Sequence, residues 1–495
     1  MTLPLNRVRR GFYMDSAALM RLSQTIAALP GIEQAALMIG SVSNKHLMAA
    51  AGLLDALAES AGPNDLIIAV RAINEGAGKA ALAEADALLD RPSATTDEAG
   101  AYRPRGLAAA VAMLPDANLA LISLPGEFAA EEARKALRAN LHVMVFSDNV
   151  PLADEKALKL EARERGLLMM GPDCGTAIIA GAPLGFANAV PRGDIGIVAA
   201  SGTGLQEVAC LIAHSGSGIS HAIGVGGRDL SDEIGGIATL MAIDALDDDA
   251  ATKAIVIISK PPADAVARTV LERVGRSAKS FTICFLGLDT MALPENARAA
   301  ATLRDAAELA LGGKRRAASA APTHAALGPG RRWIRGLYSG GTLCAEAQIV
   351  LRQANVGSFS NAPIPGAAAL PSGRVAGHSL IDLGADEYTR GRPHAIIDPV
   401  MRRPHLAAAL ADESAAVVLL DVVLGYGAHP DPAAAIVGAM DAAPVDRPIV
   451  IASLCGTADD KQGYESQRAR LQSAGIVVAA SNADAAEQAL AIVTR

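Results

Sequence analysis

Short apolar runs alternate with segments of helical period along nearly the whole chain. The pattern centres on one stretch. Ile195–Val198 is apolar and passes through Ala199-Ala200-Ser201-Gly202-Thr203-Gly204 into Leu205-Gln206-Glu207-Val208, which predicts a strand, a tight turn and a helix start. The same order recurs downstream. Trp333–Leu337, apolar apart from Arg335 and Gly336, is followed by Tyr338-Ser339-Gly340-Gly341-Thr342-Leu343-Cys344-Ala345-Glu346. Two matching helix starts predict two similar domains.

The rest of the chain fits around this pair. Strands are expected at Arg9–Met14, Ala35–Ile39 and Leu66–Val70. Helices are expected after Asp15-Ser16, from Gly40–Lys45 and over Asn74–Leu89, giving a small N-terminal α/β domain over 1–90. The Pro-, Thr- and Gly-rich stretch 91–105 reads as a linker. Strands at Leu119–Leu124, Val143–Phe146 and Leu167–Met170 alternate with helices at Glu131–Ala139 and Asp154–Arg165, a βαβ series that predicts a parallel sheet within 106–190. The domain over 191–312 adds strands at Ala254–Ile258 and Phe281–Phe285. After a linker at 312–330, the domain over 331–495 adds strands at Val417–Leu420, Ile449–Ala452 and Ile476–Val478, with a last helix from Asn482. The fold class is therefore α/β and multidomain.

The helix starts carry the first candidate chemistry. A helix N-terminus leaves backbone N–H groups without partners, with the positive end of the helix dipole behind them. Glycines let the backbone close on an oxyanion, and Ser and Thr hydroxyls add donors. Ser201, Gly202, Thr203 and Gly204, and Ser339, Gly340, Gly341 and Thr342, are thus candidate anion-binding residues. One such turn alone reads as a plain strand–helix connection; the duplication favours an anion. In Val225-Gly226-Gly227-Arg228-Asp229, Gly226, Gly227 and Asp229 are candidate substrate-binding residues, and Arg228 can grip a carboxylate or phosphate bidentately while the glycines permit close approach. Arg228 can also simply pair with Asp229. His221 and His429 are candidate proton carriers and His394 a candidate substrate contact. His394 lies near Asp398 and His429 near Asp431, a pairing that suits proton transfer or a capped loop. Neither has close ligand spacing, so no metal site is expected.

Composition narrows the setting. The 495 residues are 51% hydrophobic and only 19% charged, with a formal net charge of −8, which gives no footprint for nucleic acid or an anionic membrane. Five scattered cysteines point to reduced thiols in the cytoplasm. No apolar run is long enough to span a bilayer, and the N-terminus lacks the apolar core of a signal peptide.

Three ordered segments then show a likeness. Gly171-Pro172-Asp173-Cys174, Ile195–Glu207 and Val225–Asp229 resemble landmarks of the succinyl-CoA synthetase α subunit, and Cys455-Gly456-Thr457 resembles its β-subunit ligase domain. Over nearly the whole chain, through Ala200–Glu207, Gly218–Gly236, Tyr338–Cys344, Gly391–Asp398 and Asp421–Asp431, the sequence resembles the FdrA family of acyl-CoA-synthetase-like proteins. The resemblance implies a Rossmann-like CoA-binding-type domain over 106–190 and two flavodoxin-like ligase domains of succinyl-CoA-synthetase type over 191–312 and 331–495. It implies a common phosphoryl or acyl-phosphate site between the two Ser-Gly helices, and work alongside other subunits.

It also implies a subunit of an oxamate carbamoyltransferase, in which oxalurate and phosphate give oxamate and carbamoyl phosphate in purine (allantoin) catabolism. In that reading Arg228 holds the oxalurate carboxylate, and His221 or His429 moves a proton. The departures bear on this. Ile283–Gly287, where the family's phosphohistidine loop belongs, has no histidine; Ser259-Lys260-Pro261-Pro262 replaces an acidic glycine loop; and an ATP-grasp region is absent. No cofactor is assigned: phosphate or carbamoyl phosphate is the expected ligand, and CoA stays open. The alternatives are an acid–CoA ligase (ADP-forming) subunit lacking its own phosphohistidine, and a non-catalytic anion-sensing scaffold.

Overall fold

The computed structural model describes residues 4–12, 14, 16–90, 104, 106–288, 291–313, 328, 330–371, 376–389 and 394–494. The two expected linkers lie largely outside these residues, as do residues 391–393 of the Gly391–Asp398 segment. The chain forms two compact units. One holds the described residues up to 116 with 123–125 and 386–389; the other holds 117–122, 126–385 and 394–494.

The first unit is built on an antiparallel sheet in which Leu66–Ala72 runs between Pro4–Arg9 and Ile32–Ile39. Successive strand side chains point to opposite faces. Leu66, Ile68, Val70 and Ala72 enter one core beneath the helices Ser16–Ala27 and Glu75–Asp90, while Ile67 and Ala69 enter a second core on the other face. Burial on both sides explains the unbroken apolar run. The first strand occupies Pro4–Arg9 instead of the expected Arg9–Met14, because the chain turns at Gly11, whose φ is +59°.

In the second unit, Leu119–Ile122, His142–Val145 and Met169–Met170 form the expected parallel sheet, connected by helices Gly126–Arg138 and Leu152–Glu164. The next hairpin, Thr176–Ile179 with Ala182–Gly185, does not join it. It pairs antiparallel to Ile219–Gly224 and so extends the following sheet across the expected boundary at 190. The sequence pattern did not single out this hairpin, and only pairing shows which sheet takes it.

Two seven-stranded sheets complete the unit. In one, Ile219–Gly224, Arg192–Ala199, Ala254–Ser259, Ser280–Phe285 and Ala297–Ala299 are parallel neighbours in that order. In the other, His378–Asp382, Trp333–Tyr338, Ala415–Val423, Ile449–Cys455 and Val477–Ala479 follow the same order, with Ser358–Ser360 and Ala368–Ala369 added at one edge. Each is a doubly wound arrangement: Arg192–Ala199 stands between Ile219–Gly224 and Ala254–Ser259, and Trp333–Tyr338 between His378–Asp382 and Ala415–Val423. Such folds bind ligands beyond the strand C-termini at that reversal. The Gly202–His214 and Gly341–Gln353 helices start at these two reversals. One hydrophobic core takes Leu205, Val208 and Ile212 from the first and Leu343, Ala347 and Leu351 from the second, so the two sheets fold around shared contents.

Candidate functional site

The two echoing turns meet. Ser201 has extended backbone (φ −159°, ψ 120°), and its hydroxyl accepts the Gly204 N–H, as an N-cap should. The same oxygen lies 2.5 Å from Thr342 Oγ1 at the start of the opposite helix. A Cβ added at Gly340 would stand 2.9 Å from Thr203 Cγ2 and Oγ1, and one added at Gly204 would stand 3.1 Å from Thr342 Cγ2. Glycine at both places permits this approach.

The echo is not a copy. The second helix is shifted by one residue: Gly340 is its N-cap, without a side-chain cap bond, and Ser339 lies outside it. The buried Asp421 takes both turn amides, accepting from Ser339 N (2.8 Å), Ser339 Oγ (2.9 Å) and Gly340 N (2.7 Å). Arg402 binds Asp421 through its side chain and main-chain oxygen, each at 2.5 Å. Asp382 also crowds this turn, since a Cβ at Gly341 would stand 2.6 Å from its Oδ2. An anion approaching Ser339 and Gly340 therefore meets carboxylates already in place. The first turn has no such carboxylate on its amides; among the described residues no acceptor meets the N–H of Gly202 or Thr203, nor those of Gly341 and Thr342 at the start of the second helix. Asp421 was legible only as a lone acidic residue inside the apolar run Ala415–Val423.

His394 borders the second turn. A Cβ at Gly384 would lie 2.6 Å from Ser339 O and 2.7 Å from His394 Nε2, so the two are neighbours across one glycine. Its Nδ1 accepts the Ile396 N–H at 3.2 Å, which leaves the proton of the neutral ring on Nε2. Burial pushes its pKa below the usual value, against a smaller upward pull from Asp421. His429 is tied to the same loop, donating its N–H to Ile396 O at 3.0 Å. Its Nδ1 accepts from Asp431 N at 3.0 Å.

The other expected residues are placed elsewhere. The His221 ring accepts the Ala180 N–H at 3.1 Å and leans toward Asp249 (3.9 Å), which precedes the strand Ala254–Ser259. That is the opposite end of the parallel strands from the helix starts. Arg228 donates to Val150 O and pairs with Glu155, each at 2.8 Å. It is thus paired with Glu155 and not with Asp229. Fully buried Asp229 binds Lys159 Nζ (2.7 Å), Ala238 N (3.1 Å), Thr239 N (2.8 Å) and Thr239 Oγ1 (2.6 Å). Lys159, also fully buried, reaches Glu155 at 2.9 Å. The Gly-Gly-Arg-Asp loop thereby caps the Ile237–Asp248 helix and locks it to Leu152–Glu164. Gly226 has φ +88°, and a Cβ there would stand 2.3 Å from Pro172 O, so its freedom serves packing against the Gly171-Pro172 loop.

Among the described residues no cluster of three His, Cys, Asp or Glu side chains is placed to hold a metal, and no helix is long and apolar enough to cross a membrane.

Three family models match: the AllF heavy metal-associated domain over 1–104, the CoA binding domain over 192–287 and the CoA-ligase over 337–492. Residues 1–104 contain no cysteine. The CoA-binding match falls on the first seven-stranded domain, not on 106–190 where it was expected. Both segments alternate strands and helices, so the pattern alone could not tell them apart. The uncharacterized protein YahF of Escherichia coli K12 is 40% identical over 496 residues, covering 96% of each chain. Succinate–CoA ligase [ADP-forming] subunit alpha 2 of Archaeoglobus fulgidus is 32% identical over 149 residues, 29% of this chain and 50% of that one. The dinucleotide-forming acetyl-coenzyme A synthetase 1 of Ca. Korarchaeum cryptofilum aligns over 76% of this chain and 83% of its own, at 16% identity and a TM-score of 0.33. With 40% identity to YahF over 96% of both chains, and CoA-binding and CoA-ligase domains in order, the chain belongs to the FdrA family of acyl-CoA-synthetase-like proteins.

Proposed function

We propose that this protein is a cytoplasmic subunit of a carbamoyl-transferring enzyme of the oxamate carbamoyltransferase type, joining the carbamoyl group of oxalurate to phosphate in purine nitrogen catabolism. The observation that carries this reading is the meeting of two helix starts, Ser201 Oγ lying 2.5 Å from Thr342 Oγ1, with the first amides of both helices free of protein acceptors among the described residues. Asp421 and Asp382 stand beside the second start, which favours the first as the place of the anion. Carbamoyl phosphate is a mixed anhydride, so a site shaped for acyl phosphates suits it.

Phosphate at the Ser201–Gly204 turn presents an oxygen to the carbamoyl carbon. The tetrahedral adduct that follows carries negative charge, which the helix N-terminus and the Thr203 hydroxyl stabilise. Collapse breaks the bond to the oxamate nitrogen, which must gain a proton. His394 is better placed to donate it than His221, because its Nε2–H lies beside the Ser339 turn. His429 and the companion subunits contribute from the surrounding loops. No phosphohistidine is required, which agrees with the missing histidine in Ile283–Gly287.

The test is turnover of the reconstituted complex. Oxalurate and phosphate should give oxamate and carbamoyl phosphate, with Ser201→Leu and His394→Gln each reducing kcat by about a hundredfold or more. A fully assembled complex that makes acyl-CoA instead would overturn the reading. That second reading, an acid–CoA ligase subunit, is favoured by the CoA-binding match over 192–287, and CoA binding measured by calorimetry distinguishes it.

A further inference from the structure

Behind the two helix starts lies a feature that the reaction above does not use. Glu207 and Glu346 are each the sixth residue of their helices, and both are fully buried. Neither carboxylate turns back to its own helix start. Glu207 accepts the N–H of Asn482 at 3.0 Å, the first residue of the Asn482–Val493 helix in the opposite domain. Glu346 accepts the N–H of Leu303 at 2.6 Å, the first residue of the Leu303–Ala310 helix in the domain opposite to it.

The reciprocity extends to the caps. Thr302 accepts from Asp305 N and Ser481 from Asp484 N, both at the third helical position, so each side-chain cap leaves the first amide for the glutamate. Asn482 then joins the two systems: its Nδ2 donates to Glu346 Oε2 at 2.7 Å and to Leu343 O at 2.9 Å. An unpaired amide or carboxylate at this depth is costly, so each bond constrains the domain that it reaches into.

We propose that Glu207 and Glu346 are positioning residues, which hold the Ser201 and Thr342 turns in contact by each capping a helix of the opposite domain. This makes the glutamates a crossed pair of struts. Each strut runs from the helix that begins at the site to a helix of the other sheet, so sliding of one sheet past the other breaks both caps. The effect on ligand binding rests on the anion-binding reading above; the crossed capping does not.

The experiment uses the full chain and two readouts. In the first, amide hydrogen exchange is followed in Glu207→Ala and Glu346→Ala. Loss of a cap speeds exchange about tenfold in the first turn that it served. Glu207→Ala should loosen the start of the Asn482–Val493 helix, and Glu346→Ala the start of the Leu303–Ala310 helix. Glu207→Gln keeps an acceptor for the Asn482 amide and should exchange like the parent. If an alanine variant fails to fold, Glu207→Asp or Glu346→Asp withdraws the acceptor by one methylene and should give the same crossed pattern. Loosening confined to each glutamate's own helix overturns the proposal.

The second readout is inorganic phosphate binding by calorimetry, which should weaken about tenfold or more in the alanine variants and recover in Glu207→Gln. Crossed exchange with unchanged phosphate affinity overturns the positioning role. A parent chain that binds no phosphate, yet shows crossed exchange, refutes the anion-binding reading and leaves the struts standing.

Discussion

At the residue scale, one carboxylate separates the two turns. Asp421 satisfies two amides, a hydroxyl and a guanidinium inside the protein. Asp421→Ala leaves Arg402 buried and unpaired, and should cost about 3–5 kcal/mol of stability, read from urea unfolding. Glu346 carries the pH dependence. Burial first, then the neighbouring Glu207, raise its carboxyl from 4.5 to about 8. The folded value lies above the unfolded one, so the native state holds the extra proton between them. Its stabilising contribution is complete below the unfolded value and is lost as pH rises through about 8. Unfolding free energies from urea titrations should fall by up to about 1.4 kcal/mol per pH unit from pH 5 to about 8 in the parent and level off above it. Glu346→Gln should flatten that slope.

At the element scale, the Gly-Gly-Arg-Asp loop is a clamp between helices. Lys159 neutralises Glu155 and Asp229 at full burial, while Arg228 reaches Glu155 from the surface. Lys159→Met leaves buried Asp229 without a cation and Glu155 with Arg228 alone. The expected loss is about 3–5 kcal/mol, measured by denaturant unfolding. Gly340→Ala acts at the meeting of the helix starts, where the new methyl would stand 2.9 Å from Thr203. Pushing the turns apart should weaken phosphate binding several-fold and cost about 1–3 kcal/mol, since the contact is overpacked and not emptied. Equal phosphate affinity in parent and variant would show that the close approach is irrelevant to the site.

At the scale of the molecule, the two units differ in kind. The first has its own cores on both faces of Leu66–Ala72. A fragment spanning 1–116 should unfold cooperatively on its own, as followed by circular dichroism in urea. The two seven-stranded sheets should not separate this way. They share one core, and exposing it in a half-molecule should give an aggregating or molten product.

The sequence by itself determined the alternation of strands and helices, the duplicated Ser-Gly starts and the family, because these depend on local periodicity and on residue order. Even the repeated glutamates were visible, as part of the echo. What only the tertiary structure decided is which of these residues face one another. Ser201 meets Thr342 and Glu207 meets Asn482 across more than a hundred residues of chain, through hydrogen bonds that leave no periodic trace. Arg228 and Asp229 sit in a loop that looks made for a ligand, yet the fold pairs them with Glu155 and Lys159. Asp421 sits in a strand that looks wholly structural, yet the fold sets it at the Ser339 turn. A polar residue's role depends on its partner, and partners at long range are chosen by packing, not by spacing.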